Sequence, residues 1–403
     1  MQKKVLIMSA STGGGHNRAA KAIKEELTNK SINGVTIDCE IIDSLKIVNG
    51  TMDKLISRGY EKSAKYTPKA WGGVYKLTGS NLASRNEFKA NPLNSLMSRK
   101  LKKLIQSKKP DLIIGTHPFP MIALSSLKKN CQMPKNGEFN TFTESLHKYY
   151  NDLNVPPLMT VLTDYTTHST YIQNEIDYFI AGHEYVKELL IEYGIDEDKI
   201  KPYGIPVEKS FLSNRDKDII LSELNLDTDK FTVVLMGGSF GAGNIKDTLE
   251  ELISIDRDFQ IIVITGRNES LKEKLEKGLH HHKENINKNI CVLGFTDKMN
   301  DILSAADILI SKPGGLTTTE SLLKEIPMIV PYYIPGQEEE NLDFLSNCGA
   351  SLRTSKKYTL TVLLKVLIDN PDRIEMLKEN IKSIKKLNAS QDIAKLAFDI
   401  LSE

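Results

Sequence analysis

Apolar residues in this chain gather in short runs, and stretches of helical spacing separate them. Residues 3–9 (KKVLIMS) read as a buried strand and 16–29 (HNRAAKAIKEELTN) as a helix. Further strands are predicted at 35–42 (VTIDCEII), 110–118 (PDLIIGTHP), 157–165 (PLMTVLTDY) and 176–183 (IDYFIAGH). Runs of this length, alternating with helices, indicate a parallel sheet covered on both faces. Residues 201–207 (KPYGIPV) have the Gly and Pro density of a linker. The pattern then restarts. FTVVLMGGSFGAGN (231–244) is a strand followed by a glycine loop, and FQIIVITG, NICVLGF, ADILISKPGG and PMIVPYY follow, each with a helical stretch behind it. The last 45 residues or so read as helices. The fold class is therefore α/β: two Rossmann-like doubly wound domains, 1–206 and 207–403, the second carrying the C-terminal helices. Ligands of such sheets sit at the carboxyl ends of the strands, and with two domains the cleft between them is the default site.

Two stretches break the pattern. Within 53–100, which holds Trp71, residues 93–105 set Leu93, Leu96, Met97, Leu101, Leu104 and Ile105 near helical spacing, with Arg99, Lys100, Lys102 and Lys103 between them. A basic amphipathic helix can lie on an anionic membrane or pack on its own domain. Residues 128–157 lengthen a loop. Between 53 and 109 there are fourteen Lys and Arg against three acids, in a chain whose net charge is only +1. That asymmetry suggests an anionic partner surface or a solvated lysine-rich face.

Length and composition change the picture little: 403 residues, 40% hydrophobic and 26% charged, describe a two-domain globular protein. Four scattered cysteines fit reduced thiols and a cytoplasmic setting. The N-terminus runs straight into strand and loop without a signal-peptide pattern, and no apolar run spans a bilayer.

The candidate chemistry lies in loops. Gly13–Gly15 follow a strand and precede a helix that His16 opens. Backbone amides there could meet a phosphate or an oxyanion. As a dinucleotide fingerprint the loop fails, because His16 and Arg18 occupy glycine positions, although Asp43 sits where a ribose-binding acid would lie. No Gly-Lys-Ser/Thr follows, so it is not a P-loop either. A plain turn explains the glycines but not the histidine, and a helix start favours the neutral imidazole that a general base needs.

The second half has a glycine loop of its own, GGSFGAG (237–243), and SKPGGLTTTE (311–320), in which Gly314 and Gly315 open a helix and Glu320 lies one turn inside. Glu320 could meet ribose hydroxyls or simply complement the helix dipole. Gln337, Glu338 and Asn341, in PYYIPGQEEENLDFL, could bond a sugar or cap a helix. No Asp-x-Asp ends a strand, the His280–His282 run lies in a polar stretch, and no aromatic–basic interleaving suggests nucleic acid.

Together these stretches resemble the monogalactosyldiacylglycerol synthases and bacterial processive diacylglycerol glucosyltransferases. Those enzymes have the GT-B fold and are related to the lipid-linked GlcNAc transferase of peptidoglycan synthesis. The likeness spans nearly the whole chain and rests on GGGH (13–16), THPFPM (116–121), TDYTTHSTY (163–171), GIPV (204–207), GGSFGAG (237–243), LGFTDKMNDILSAAD (293–307), KPGGLTTTE (312–320) and PGQEEEN (335–341). Asn17 after the histidine and the longer 128–157 loop depart from many members.

The resemblance implies an inverting transfer of glucose or galactose from a UDP-sugar co-substrate to diacylglycerol at the inner face of the membrane, without metal or other cofactor. The first domain would bind the acceptor and the membrane, the second the donor. His16 would be the catalytic base and Asp164 a second base or orienting partner. Gly15, Gly238, Ser239, Gly241, Gly314, Gly315 and Thr317 would line the diphosphate side of the donor. Phe295 would meet uracil, Glu320 the ribose, and Gln337, Glu338 and Asn341 the sugar. Trp71, Arg99, Lys100, Lys102, Lys103, His117 and Pro118 would face acceptor or membrane. Transfer of GlcNAc to a polyprenyl-linked acceptor, or a non-catalytic UDP-sugar sensor, are the alternatives.

Overall fold

The computed structural model describes residues 1–11, 14–28, 30–48, 92–132, 153–237 and 244–402. Trp71, Gly238, Ser239 and Gly241 lie outside the described residues, as does most of the 128–157 loop.

The first sheet holds seven strands: β1 (Gln2–Ser9), β2 (Ser31–Ile32), β3 (Val35–Asp43), β4 (Leu112–Gly115), β5 (Leu158–Val161), β6 (Tyr178–Ile180) and β7 (Ile200–Lys201), in the order β2-β3-β1-β4-β5-β6-β7. All neighbours are parallel except β2 and β3. That antiparallel pair is a hairpin turning on Asn33 and Gly34, both at positive φ (52° and 74°). Asn-Gly is the pair a tight hairpin favours, because both central residues must be left-handed. The central strands are buried on both faces, so they appear in the sequence as unbroken apolar runs rather than alternations.

The second sheet is wholly parallel: β8 (Thr232–Met236), β9 (Gln260–Ile264), β10 (Ile290–Leu293), β11 (Ile308–Ile310), β12 (Met328–Val330) and β13 (Ser351–Arg353), in the order β10-β9-β8-β11-β12-β13. Each sheet thus reverses direction beside its first strand, between β1 and β4 and between β8 and β11. Those are the points where the loops splay apart and ligands enter doubly wound folds.

Two compact units result: the described part of 1–207 with residues 388–402, and residues 208–387. The final helix, Ala389–Ser402, therefore departs from the expectation that the second domain runs to the C-terminus. Its Ile393, Ala394, Ala397 and Phe398 join one core of the first unit with Val5, Ile7, Ala20 and Ile23. The physical reason is an apolar stripe on the Gly15–Thr28 helix and β3 that the last helix covers.

The basic helix Pro92–Lys108 also has its apolar side spoken for. Met97, Leu101 and Ile105 are buried in the other core of the first unit, against Met121, Leu124 and Leu127 of the helix Pro118–Cys131. Of its charged residues, Arg99, Lys100 and Lys103 are exposed, whereas Lys102 is only 8% exposed and is corrected from a surface-facing to a buried position. Among its described side chains, those facing outward include Leu96 and the charges of Arg99, Lys100 and Lys103. No helix among the described residues is long and apolar enough to cross a membrane.

Candidate active site

In the first unit, His16 lies in the first turn of the helix that follows β1, and Thr116 directly follows β4, on the two sides of the switch point. His16 Nδ1 lies 2.7 Å from the Thr116 carbonyl, and Thr116 Oγ1 donates back to the His16 carbonyl at 3.1 Å. A carbonyl only accepts, so Nδ1 carries the proton and Nε2 keeps a lone pair. Thr163 Oγ1, following β5, shares that Nδ1–H at 3.0 Å. Burial pushes the His16 pKa from 6.5 down to about 4, against the opposing pull of the Thr116 bond, so the imidazole is neutral at physiological pH.

Close packing builds this clamp. A Cβ on Gly115 would lie 2.2 Å from Met121 Sδ, so only glycine lets the helix Pro118–Cys131 press onto the end of β4 and hold the Thr116 carbonyl in place. His117 caps that helix by accepting from the Phe119 amide at 3.2 Å, with Pro118 in the first turn, and its ring meets His16 edge-on at 4.6 Å between centroids. Burial, then the neighbouring His16, hold the His117 pKa well below 6.5. Two imidazoles so close are kept neutral together.

Asp164 follows Thr163 and is partly buried. The Tyr171 phenol is pushed up mainly by burial and then by the Asp164 charge, while a hydrogen bond with Thr163 works the other way. Asp164 and Tyr171 thus belong to the same loop as the Thr163 contact. His168 makes a local turn, its Nδ1 2.9 Å from Thr170 Oγ1. Asn17 Oδ1 accepts from Ser9 Oγ at 2.6 Å. Ser11 donates to Asp43, whose other oxygen accepts from the Leu45 amide at 3.1 Å. Asp43 is therefore a structural cap rather than a free ribose partner.

In the second unit the Ser311–Gly314 turn leads from β11 into the helix Gly315–Leu323, and Gly314 caps that helix with no side-chain hydrogen bond. The amides of Gly315, Leu316 and Thr317 therefore point, with the helix dipole, at whatever anion the turn admits. Thr318 Oγ1 and Ser311 Oγ are buried here with no hydrogen-bond partner among the described residues. Glu320, one turn in, is 2% exposed.

The turn is braced from the helix Gln337–Asn347. Lys312 is paired with Glu338, whose other oxygen accepts from the Ile334 amide at 2.9 Å. Asn341, fully buried, donates to the Pro313 carbonyl at 3.0 Å. Glu338 and Asn341 thus brace the turn, while Gln337 at the helix start is partly exposed. Gly336, at φ 108°, lets the chain bend into that helix. Phe295 is 61% exposed with the Arg267 guanidinium 5.3 Å from its ring centre. Among the described residues no three His, Cys, Asp or Glu side chains gather as a metal would need.

The sequence pointed to His16 and to both glycine-opened helices but missed what orients them. Thr116, Thr163 and Lys312 each open a stretch quoted above but were given no role of their own. Their positions just after β4, β5 and β11 are the clue that could have singled them out.

Residues 16–136 and 138–207 match the monogalactosyldiacylglycerol (MGDG) synthase family, and residues 232–397 match the glycosyltransferase family 28 C-terminal domain. The "Processive diacylglycerol beta-glucosyltransferase" of Bacillus licheniformis is 28% identical over 394 residues, covering 97% of this chain and 93% of that one. The protein of the same name from Bacillus subtilis is 28% identical over 402 residues, covering 100% and 95%. Among solved structures, MurG of Acinetobacter baumannii covers 98% of this chain and 99% of its own, with a TM-score of 0.57 at 16% identity. The UDP-GlcNAc 2-epimerase of Neisseria meningitidis covers 99% and 100%, with a TM-score of 0.55 at 16% identity. At such identities the structures establish the fold, which is GT-B with two Rossmann-like units.

Proposed function

We infer a hexosyl transfer from a UDP-sugar to diacylglycerol, from a chain whose first part matches the monogalactosyldiacylglycerol synthase family and whose second part matches the glycosyltransferase family 28 C-terminal domain. The names of the Bacillus relatives favour diacylglycerol as acceptor and glucose as the sugar, with galactose the epimer to test against it. The observation that carries the reading is the Nδ1–H of His16 fixed on the Thr116 carbonyl, which leaves Nε2 as a base.

The free hydroxyl of diacylglycerol is a poor nucleophile. Nε2 of His16 accepts its proton as the oxygen attacks the anomeric carbon of the donor. The bond from that carbon to the diphosphate breaks, and UDP leaves with the electron pair. The leaving diphosphate carries charge that the Gly315, Leu316 and Thr317 amides can meet, preorganised and requiring no rearrangement during reaction. One displacement inverts the anomeric centre, so an α-linked donor gives a β-glycoside. Tyr171 hydrogen-bonds Thr163, which meets His16 Nδ1, and the Asp164 charge acts on Tyr171, so this loop helps orient His16. Exposed Arg99, Lys100 and Lys103 would hold the first unit near anionic lipid.

The test is product analysis. Radiolabelled UDP-glucose and UDP-galactose, each offered with defined diacylglycerol, should give labelled β-glycosyldiacylglycerol from one donor in clear preference. No label entering the diacylglycerol fraction, with label instead entering a polyprenyl-linked acceptor from UDP-GlcNAc, would overturn the reading.

A further inference from the structure

The helix Leu360–Asp369 of the second unit is apolar on two sides. Seven of its ten residues are Leu, Val or Ile. Leu360, Leu364 and Leu367 are buried in the core of that unit with Leu249, Leu252 and Ile329, which accounts for one face. Val362 and Val366 are each 42% exposed, and Tyr358, just before the cap Thr359, is 62% exposed. Val362 and Val366, one turn apart, share one side of the helix, and Tyr358 is exposed in the bend that leads into it. Valine is a modest helix former, and an outward helix position ordinarily carries a charged or polar side chain. Neither propensity nor the core explains an outward stripe of Tyr and two Val.

The charges beside the stripe are mainly positive. Lys356 and Lys357 are exposed at its head, without an ion-pair partner among the described residues, and Lys365 is partly exposed along it. The nearby acids are engaged. Asp369 is held by Arg257 through two bonds of 2.7 Å, and Glu251 accepts from the Thr361 amide and hydroxyl at 3.0 and 2.9 Å. Asp372 is exposed at the start of the next helix, beyond the far end of the stripe, and Glu375 pairs with Lys378. A tyrosine with an apolar body and polar tip, two valines and an unpaired lysine pair match the boundary between acyl chains and anionic headgroups.

We propose that Tyr358, Val362 and Val366, with Lys356 and Lys357, form a docking surface for an anionic lipid bilayer on the second unit. It is separate from the basic helix of the first unit, and its purpose rests on the lipid-acceptor reading above. The test is vesicle co-sedimentation of the full chain, using phosphatidylcholine alone or phosphatidylcholine mixed with phosphatidylglycerol.

Lys356→Ala with Lys357→Ala should weaken binding to the anionic vesicles roughly thirty-fold at low salt, at about 1 kcal/mol for each lysine near the surface. Val362→Gln with Val366→Gln should weaken it several-fold and keep the helix. Both variants should turn over detergent-dispersed diacylglycerol as the parent does. Vesicle binding unchanged in both variants would overturn the proposal. So would a dimer of the parent that the Val variant converts to monomer while vesicle binding persists. Failure of the parent to use dispersed diacylglycerol would instead sink the acceptor reading, and vesicle binding would still be legible.

Discussion

At the scale of the residue, the account turns on one imidazole and the two threonine contacts at its Nδ1. A base must be neutral, and burial holds the His16 pKa at about 4. Protonation therefore removes the base only as pH falls toward 4, and kcat/KM is expected to stay flat through pH 6 and decline with an apparent pKa near 4. An acid limb near 6.5 would mean an imidazole in contact with water. The same shift has a stability sign. The unfolded chain takes up this proton from about pH 6.5 downward while the folded one resists until about 4, so stability falls across that window as pH drops. His16→Gln should remove that part of the loss.

Thr163→Val deletes one of the two contacts at Nδ1. A net hydrogen bond of about 1 kcal/mol implies a kcat roughly five-fold lower with donor affinity unchanged. In the second unit, Lys312→Met leaves the buried Glu338 carboxylate without its cation. Such a loss costs about 3–5 kcal/mol, and removing both charges costs less. Thermal denaturation should therefore find Lys312→Met less stable than Lys312→Met with Glu338→Gln, and isothermal titration should find both weaker for UDP.

At the scale of the element, both candidate sites lie where a sheet reverses direction. That follows from strand order, which a single sequence conceals. The strands themselves were legible, because runs such as LIIG and QIIVI are buried on both faces and have no other use. The glycine loops were legible because helices rarely begin with two glycines. The β2–β3 hairpin went unread, because Asn33–Gly34 is a short signal and a strand of two residues is too short for a periodicity to register. What could not be read was tertiary engagement. Lys102 and Asp43 look like surface charge and ribose acid until the fold buries the one and uses the other as a cap. Gly115 is the position where sequence hints least and packing demands most. Gly115→Ala would set a Cβ against Met121, and overpacking of this kind costs about 1–3 kcal/mol. Its thermal transition should fall by several degrees, and Met121→Ala in the same chain should recover part of that fall.

At the scale of the whole molecule, the chain ends in the unit it began with. Ile393, Ala397 and Phe398 of the last helix are buried against the first helix and sheet, so the C-terminus is structural. Truncation after Leu387 should lower or abolish the calorimetric transition of the first unit, while UDP still binds the second. Loss of UDP binding would show that the two units do not fold apart.

The central claim is that His16 is the base for hexosyl transfer to diacylglycerol. It is tested most directly by measuring, in one His16→Ala preparation, both labelled glycolipid formation and UDP-sugar affinity. Turnover should fall by at least about a hundred-fold, the lower end of what a positioned base contributes, with UDP-sugar affinity close to that of the parent. Turnover within a few-fold of the parent would contradict it, and the proton would have to leave by another group.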